Sequence, residues 1–339
     1  MNTTQTLEPF DVILDARTPK EFEESHIPNA LNFPVFSNEE HALVGTIYKQ
    51  ESPLKARILG SSIACRNIAQ FLEKSLNDPT TALHLKNKLL VYCARGGKRS
   101  SALGIILEEV GFQVQKFEGG YKTYRNIVLN EFKKPFVKPL IVLDGLTGCG
   151  KTELIEYFSS WSIDLERLAK HYGSSFGNPT NAKRPTQKMF ENLLYYELHS
   201  KKHEPLLLIE KEPKALGGLV IPNSIFSAYQ HSVHTIFVNA PLEHRIKRLV
   251  SMYSNLKDSV FKEAITTIKP YTTKAIFEDL KRLWEHRDLE KIAEILTTKY
   301  YDLVYKKSPS SYSITFHTLE QTAKEILAIK ADILQNTHQ

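Results

Sequence analysis

Short apolar runs alternate along this chain with longer segments whose apolar residues recur three and four positions apart. Asp11–Leu14, Ala30–Phe33, Leu89–Tyr92 and Val114–Phe117 read as buried strands. Between them, Phe22–His26 (stopped by Pro28), Leu54–Leu76, Ser101–Val110 (ended by Gly111) and Tyr121–Phe132 carry helical spacing. Lys133–Pro139, with two prolines and three lysines, interrupts the pattern and reads as a linker. The alternation then restarts: a strand at Leu140–Leu143, a glycine-rich turn, a helix at Lys151–Trp161, and strands at Leu206–Ile209 and Thr235–Val238. From Pro241 the pattern is mostly helical, with Tyr312–Phe316 the extended exception. Strands alternating with helices predict an α/β fold built on parallel sheets.

A length of 339 residues exceeds one typical core, so at least two domains are expected. The pattern divides as 1–132, holding a cysteine loop, 138–255, holding a glycine-rich phosphate loop, and a mainly helical extension over 256–339. The opening MNTTQTLEPF has no basic and apolar leader, and no apolar run reaches the ~18 residues of a membrane span, so a cytoplasmic protein with no membrane partner is expected. Cys65, Cys93 and Cys149 are too far apart for a disulfide framework or a metal knuckle. Cys65 sits in the apolar register of IACRNIAQFL and is expected in the core. A net charge of +6 has the sign that suits a polyanionic partner.

Cys93 ends an apolar strand, and Gly96 and Gly97 follow before a helix begins near Ser100. Glycines let backbone N–H groups turn inward as an anion cradle, the helix N-terminus adds positive potential, and Arg95, Lys98 and Arg99 add full charges. These features mark Cys93 as a nucleophilic thiolate rather than a strand-end core residue. Five residues separate Cys93 from Arg99, a C-x5-R spacing that can hold a tetrahedral oxyanion beside the sulfur.

The second motif runs from Gly145 through Gly148 and Gly150 to Lys151 and Thr152, a full G-x-x-x-x-G-K-[ST] match between a strand and a helix. Its amides suit two phosphates, Lys151 neutralises them and Thr152 can hold Mg²⁺. Cys149 occupies a spacer position. The next strand delivers Glu210 where a Walker B aspartate is usual, so diphosphate binding is expected more than ATP hydrolysis. Asp164, Glu166, Ser174 and Ser175 are candidate contacts to the substrate or a metal, with capping as the competing role, and no metal is assigned.

Asp15-Ala-Arg17, Glu21-Phe22 and His26-Ile27-Pro28-Asn29-Ala30 resemble the signature of rhodanese domains. Together with the P-loop and the strings Val44-Gly-Thr-Ile-Tyr-Lys-Gln50, Tyr92-Cys-Ala-Arg-Gly-Gly97, Asp164-Leu-Glu166, Gly173-Ser-Ser-Phe-Gly177 and Gln187-Lys-Met-Phe-Glu-Asn192, the chain resembles bacterial tRNA 2-selenouridine synthases over residues 11–255. The resemblance implies a rhodanese-like N-terminal domain, a P-loop α/β domain and a helical C-terminal extension. It implies S-geranylation of the wobble 2-thiouridine of tRNA by geranyl diphosphate, followed by replacement of that sulfur with selenium from selenophosphate. Selenophosphate and geranyl diphosphate are then co-substrates, with no tightly bound cofactor. Mg²⁺ is a candidate ion, the tRNA anticodon region a partner, and selenophosphate synthetase a candidate donor. Cys93 carries over as the essential cysteine. In one place the chain departs: Glu210-Lys-Glu-Pro-Lys214 stands where the family reads E-D-E-S-R, so Glu210, Glu212 or Lys214 must take over any phosphate or metal contact made there.

Asp15, Arg17 and His26 read as structural. RNA-contact candidates are Lys183, Arg184 and Lys188; Arg245, Lys247 and Arg248; Lys281, Arg282 and Arg287 around Trp284; and Lys306 and Lys307 after Tyr305. Two other readings stay open on residues alone: a C-x5-R phosphatase, and a sulfur-carrier rhodanese, each fused to a nucleotide-binding P-loop domain.

Overall fold

The structure, a computed structural model, describes residues 1–7, 10–77, 86–172, 176, 183–305 and 309–337. The chain divides into two compact units, Met1–Glu131 with Glu191–Leu193, and Phe132–Phe190 with Leu194–Gln339.

The first unit runs β1 (Asn2–Thr4), β2 (Val12–Asp15), α1 (Pro19–Glu24), β3 (Leu31–Asn32), α2 (Asn38–Gln50), α3 (Pro53–Asn77), β4 (Lys88–Tyr92), α4 (Lys98–Val110), β5 (Gln113–Phe117) and α5 (Gly120–Lys133). Its five strands form one sheet in the order β1-β5-β4-β2-β3, every pairing parallel. Leu14, Phe33, Leu89, Val91, Leu103 and Leu107 fill its core. Each such side chain contributes about 1.5–3 kcal/mol on burial, which fixes β4 at the centre and Cys93 at its end. The apolar pattern misses α2, because its helix signal lies at its end: the Ser37 hydroxyl accepts from the Glu40 amide, and the Ser37 amide donates to the Glu40 carboxylate. It also misses β1, whose polar residues become a strand only by pairing with β5. Cys65 corrects the expectation of burial. The inward stripe of α3 passes through Ile63, Ala64 and Ile68, and Cys65, one step round the helix from Ala64, faces solvent.

The second unit continues with β6 (Leu140–Asp144), α6 (Lys151–Tyr157), β7 (Ser162–Ile163), α7 (Leu165–Ala169), α8 (Gln187–Ser200), β8 (Leu207–Glu210), β9 (Ala215–Leu216), β10 (Leu219–Val220), α9 (Asn223–Gln230) and β11 (His234–Asn239). Then come α10 (Leu242–Tyr253), α11 (Asp258–Ile268), α12 (Lys274–Glu285), α13 (Leu289–Leu296), a π-helical turn at Thr297–Tyr301, α14 (Asp302–Val304), β12 (Tyr312–Thr315) and α15 (Leu319–Thr337). The main sheet is parallel, in the order β12-β11-β6-β8-β7. The C-terminal region expected as one helical extension divides physically. Phe261, Ile265, Leu280, Trp284 and Ile292 belong to a separate helical core, whereas Ile314, Phe316, Ile326 and Ile333 belong to the core of the sheet. No described helix is long and apolar enough to cross a membrane.

Candidate active site: two anion-binding loops

Cys93 is buried at the C-terminal end of β4, where the chain turns through Arg95, Gly96 and Gly97 into α4. Its sulfur accepts from the Gly97 amide at 3.1 Å and from the Ser100 hydroxyl at 3.2 Å. Ser100 is fully buried, so this second donor is held in place by the core. Two donors at a helix N-terminus stabilise negative charge on sulfur. The loop is braced from outside its own sequence. The Tyr121 amide donates to the Cys93 carbonyl at 2.8 Å, and the Lys122 amide to that of Ala94 at 3.0 Å. Gly120, at φ +62°, lies so close that a Cβ there would overlap the Cys93 carbonyl oxygen and the Gly96 nitrogen. Gly119-Gly120 is therefore part of the site; the sequence marks it only as a turn.

Arg95 and Lys98 are exposed. Arg99 is committed elsewhere: its guanidinium grips both oxygens of Glu21, at 2.6 and 3.2 Å. Burial alone would raise the Glu21 carboxyl, but the hydrogen bonds and charge of Arg99 pull it down to about 2. Of the three cations expected at the loop, this one serves to tie α4 to α1. Asp15 and Arg17 form a buried bidentate pair at 2.6–3.0 Å, and Arg17 also donates to the Ser25 carbonyl at 2.7 Å and lies over the Tyr121 ring at 3.9 Å. His26 bonds the Phe22 carbonyl through Nδ1 at 2.8 Å and stacks on the Phe22 ring. These contacts shape the loops flanking β2.

Gly145–Thr152 joins β6 to α6. Gly150 adopts φ +97°, and a Cβ there would meet the Phe316 ring at 2.6 Å, so the residue after β12 seats the loop. Lys151 reaches back to the Gly145 carbonyl at 2.9 Å and lies 3.6 Å from Glu210. Around it stand Glu166, Glu210 and Glu212, all buried, with ligand oxygens within 4.8 Å of one another. The Thr152 hydroxyl donates to Glu166 at 3.3 Å. Burial and the charge of Glu166 push the Glu212 carboxyl up to about 8. The same causes hold Glu210 well above its usual range, outweighing the pull of Lys151. Burial would lower the Lys151 ammonium, but the Cys149 sulfur and the three carboxylates outweigh it, so the lysine stays charged. Three carboxylates this close cannot all ionise without added positive charge. Hard oxygen donors around a P-loop threonine fit a divalent cation such as Mg²⁺.

The structure thus brings Glu166 and Glu210 to the P-loop and adds Glu212, which the sequence offered only as a substitute. Asp164 instead caps α7, accepting from the Arg167 amide at 2.8 Å. Ser174 and Ser175 lie outside the described residues. Lys211 pairs with the buried Asp144 at 3.1 Å, and Lys214 lies over the Phe226 ring at 6.0 Å. Asp144 also accepts from the Tyr305 hydroxyl and from the Gly145 amide. The sequence points to neither as part of the site: Asp144 directly precedes the P-loop at the end of β6, and the return of the chain after α14 brings Tyr305 to it.

The RNA-contact candidates separate by burial. Arg245 is corrected: it is 4% exposed, donates to the Thr147 carbonyl at 2.8 Å and pairs bidentately with Asp302 at 2.6 and 2.9 Å, so it braces the P-loop. Trp284 is core, stacked on Phe261 at 4.0 Å. Lys247, Arg248, Lys281, Arg282 and Arg287 pair with Glu243, Glu153, Glu278, Asp279 and Asp258 respectively. Arg184 donates to the Gly217 carbonyl, and Lys306 and Lys307 lie outside the described residues.

Comparison with known proteins follows the same division. Residues 3–127 match the rhodanese-like domain, and residues 138–283 match the tRNA 2-selenouridine synthase AAA domain. The tRNA 2-selenouridine synthase of Psychromonas ingrahamii is 35% identical over 261 residues, which cover 75% of this chain and 68% of that protein. That of Proteus mirabilis is 34% identical over 258 residues, 74% of this chain and 68% of the relative. That of Shewanella piezotolerans is 30% identical over 325 residues, covering 87% of each. On the two domain matches and these relatives, this chain belongs to the tRNA 2-selenouridine synthase family.

Proposed function

We propose that this chain makes 2-selenouridine at the wobble position of tRNA in two steps. The 2-thio sulfur of the uridine displaces diphosphate from geranyl diphosphate, forming a geranylthio group. The selenium of selenophosphate then attacks C2 and the geranylthiolate leaves, so that selenium is joined to both C2 and phosphorus until the Se–P bond is cleaved. The observation that carries the reading is one chain holding two distinct anion sites: a sulfur fixed by two donors at a helix N-terminus, and a complete P-loop. In the first step the Gly145–Thr152 amides and Lys151 hold the diphosphate and favour its departure as an anion. Glu166, Glu210, Glu212 and Thr152 are the residues that would hold Mg²⁺, which supplies further neutralisation of the leaving diphosphate. In the second step the Cys93 thiolate attacks phosphorus, breaking the Se–P bond and leaving selenium on the uridine, and water then releases phosphate from the sulfur; Gly97 and Ser100 hold that sulfur, and the exposed Arg95 and Lys98 attract the anion. The engagement of Arg99 by Glu21 favours this over the phosphatase reading, which needs that guanidinium on a phosphoryl group.

Nucleoside mass spectrometry of tRNA tests the proposal. Cells lacking this chain, grown with selenium, are expected to lose 2-selenouridine and the geranylated 2-thiouridine while retaining 2-thiouridine. An unchanged nucleoside profile would refute it.

A further inference from the structure

Glu191, Asn192 and Leu193 lie in α8, far along the chain from the cysteine loop, yet they belong to the first unit. Asn192 is fully buried there, and both ends of its amide are satisfied. Its Nδ2 donates to the His26 carbonyl at 2.7 Å and to the Tyr121 hydroxyl at 2.9 Å, and its Oδ1 accepts from Arg125 at 2.5 Å. A carbonyl only accepts and a guanidinium only donates, so these partners fix which way the amide points. Arg125 is itself held by Glu191 at 2.5 Å. Removing the amide would leave buried partners with no water to replace it, a loss that the surrounding structure can relieve only by moving.

The Tyr121 end of this network reaches Cys93 itself. Tyr121 is buried, its ring lies under the Arg17 guanidinium at 3.9 Å, and its backbone N–H donates to the Cys93 carbonyl at 2.8 Å. Gly120, directly before it, packs against that carbonyl and the Gly96 nitrogen. The ring is thus held on its face by a cation and at its tip by Asn192, and the backbone that carries it presses on the cysteine loop. Attack on phosphorus needs the sulfur in line with the bond that breaks, and a misplacement of about 1 Å costs on the order of a hundredfold in rate. We propose that Asn192 is a positioning residue for Cys93, acting through the Tyr121 side chain to hold the Gly120-Tyr121 backbone behind the loop. This rests on the reading of Cys93 as the nucleophile of the selenation step.

Steady-state kinetics of the full chain, with selenophosphate and tRNA carrying geranylated 2-thiouridine, test it. Asn192→Ala is expected to lower the kcat of selenation about tenfold or more while leaving the KM for selenophosphate unchanged. Geranylation of 2-thiouridine tRNA by the same preparation is expected to match wild type, which shows that the chain is folded. Tyr121→Phe is the second variant, for use also if Asn192→Ala fails to fold. It keeps the ring and the backbone N–H, removes only the hydroxyl that Asn192 holds, and is expected to lower kcat in the same way. Asn192→Ala added to Tyr121→Phe is expected to lower kcat much less than it does alone, because both act through one contact. If the folded variants keep the wild-type kcat, or if selenation and geranylation fall together, Asn192 only supports the fold and the positioning role is wrong, while the proposed function stands. If wild type makes no 2-selenouridine from the geranylated tRNA, the reading of Cys93 falls and the positioning role falls with it.

Discussion

The two glycine loops share a plan and differ in what surrounds them. Each leaves a central parallel strand and opens a helix, so each presents backbone N–H groups at a helix N-terminus. The Cys93 loop is held by backbone: the Tyr121 and Lys122 amides bond its carbonyls, and its sulfur meets only donors. The P-loop is held by side chains: Arg245 on Thr147 and Tyr305 on Gly145 come from distant parts of its unit, and the adjoining Asp144 accepts from the Gly145 amide. Its one lysine is embedded among three buried carboxylates. A loop ringed by donors stabilises an anion that it carries itself. A loop whose cation is surrounded by acids binds a polyanion best when a divalent ion arrives with it. Topology decides where an anion sits; the neighbouring charges decide which anion.

The largest test of this contrast removes the sulfur. Cys93→Ser is expected to reduce selenium incorporation to background while leaving geranylation near wild type, measured by nucleoside mass spectrometry of reconstituted reactions. Selenation at the wild-type rate would make Cys93 a core residue and dissolve the distinction between the loops.

Lys151→Ala removes the cation from the other loop. By the scale of charged hydrogen bonds the loss is about 1.5–3 kcal/mol, or roughly 10–150-fold in geranyl diphosphate affinity. Affinity for tRNA should change little. Equal calorimetric affinity of mutant and wild type for geranyl diphosphate would remove the lysine from the site.

The smallest effect sharpens the comparison at Arg99, which faces Glu21 rather than a ligand. The Glu21 carboxyl is depressed from 4.5 to about 2, so its stabilisation is fully present above pH 4.5 and lost as pH falls towards 2. Its side chain is 28% exposed and solvent screens the pair, so about 1 kcal/mol is expected. Glu21→Gln should lower the melting temperature at neutral pH by about 2–4 °C and flatten the acid limb between pH 4.5 and 2. An unaltered acid limb would mean that the pair contributes nothing to folding and leave Arg99 available to the cysteine loop.

Local sequence determined the elements with a strong apolar period and the two loops with unusual glycine spacing. β4, β6, β8 and β11 are legible because fully buried parallel strands are continuous apolar runs, and both glycine loops are legible because their backbone geometry demands those residues. Tertiary structure decided the rest. The strand character of Asn2–Thr4 exists only through its partner β5. Cys65 sits one step outside the stripe that α3 buries, a difference of about 100° that an apolar window does not resolve. Glu212 comes to the P-loop, and Gly120 to the cysteine loop, because parallel register gathers strand ends and the loops that follow them on one side of a sheet, whereas Tyr305 reaches the P-loop through the return of the chain after α14. The cationic positions Arg245, Lys281 and Arg287 look alike in sequence. Lys281 has its acid, Glu278, three residues back on the same helix, whereas only the fold brings Asp302 to Arg245, making it a brace for the P-loop, and Asp258 to Arg287, making it a surface ion pair.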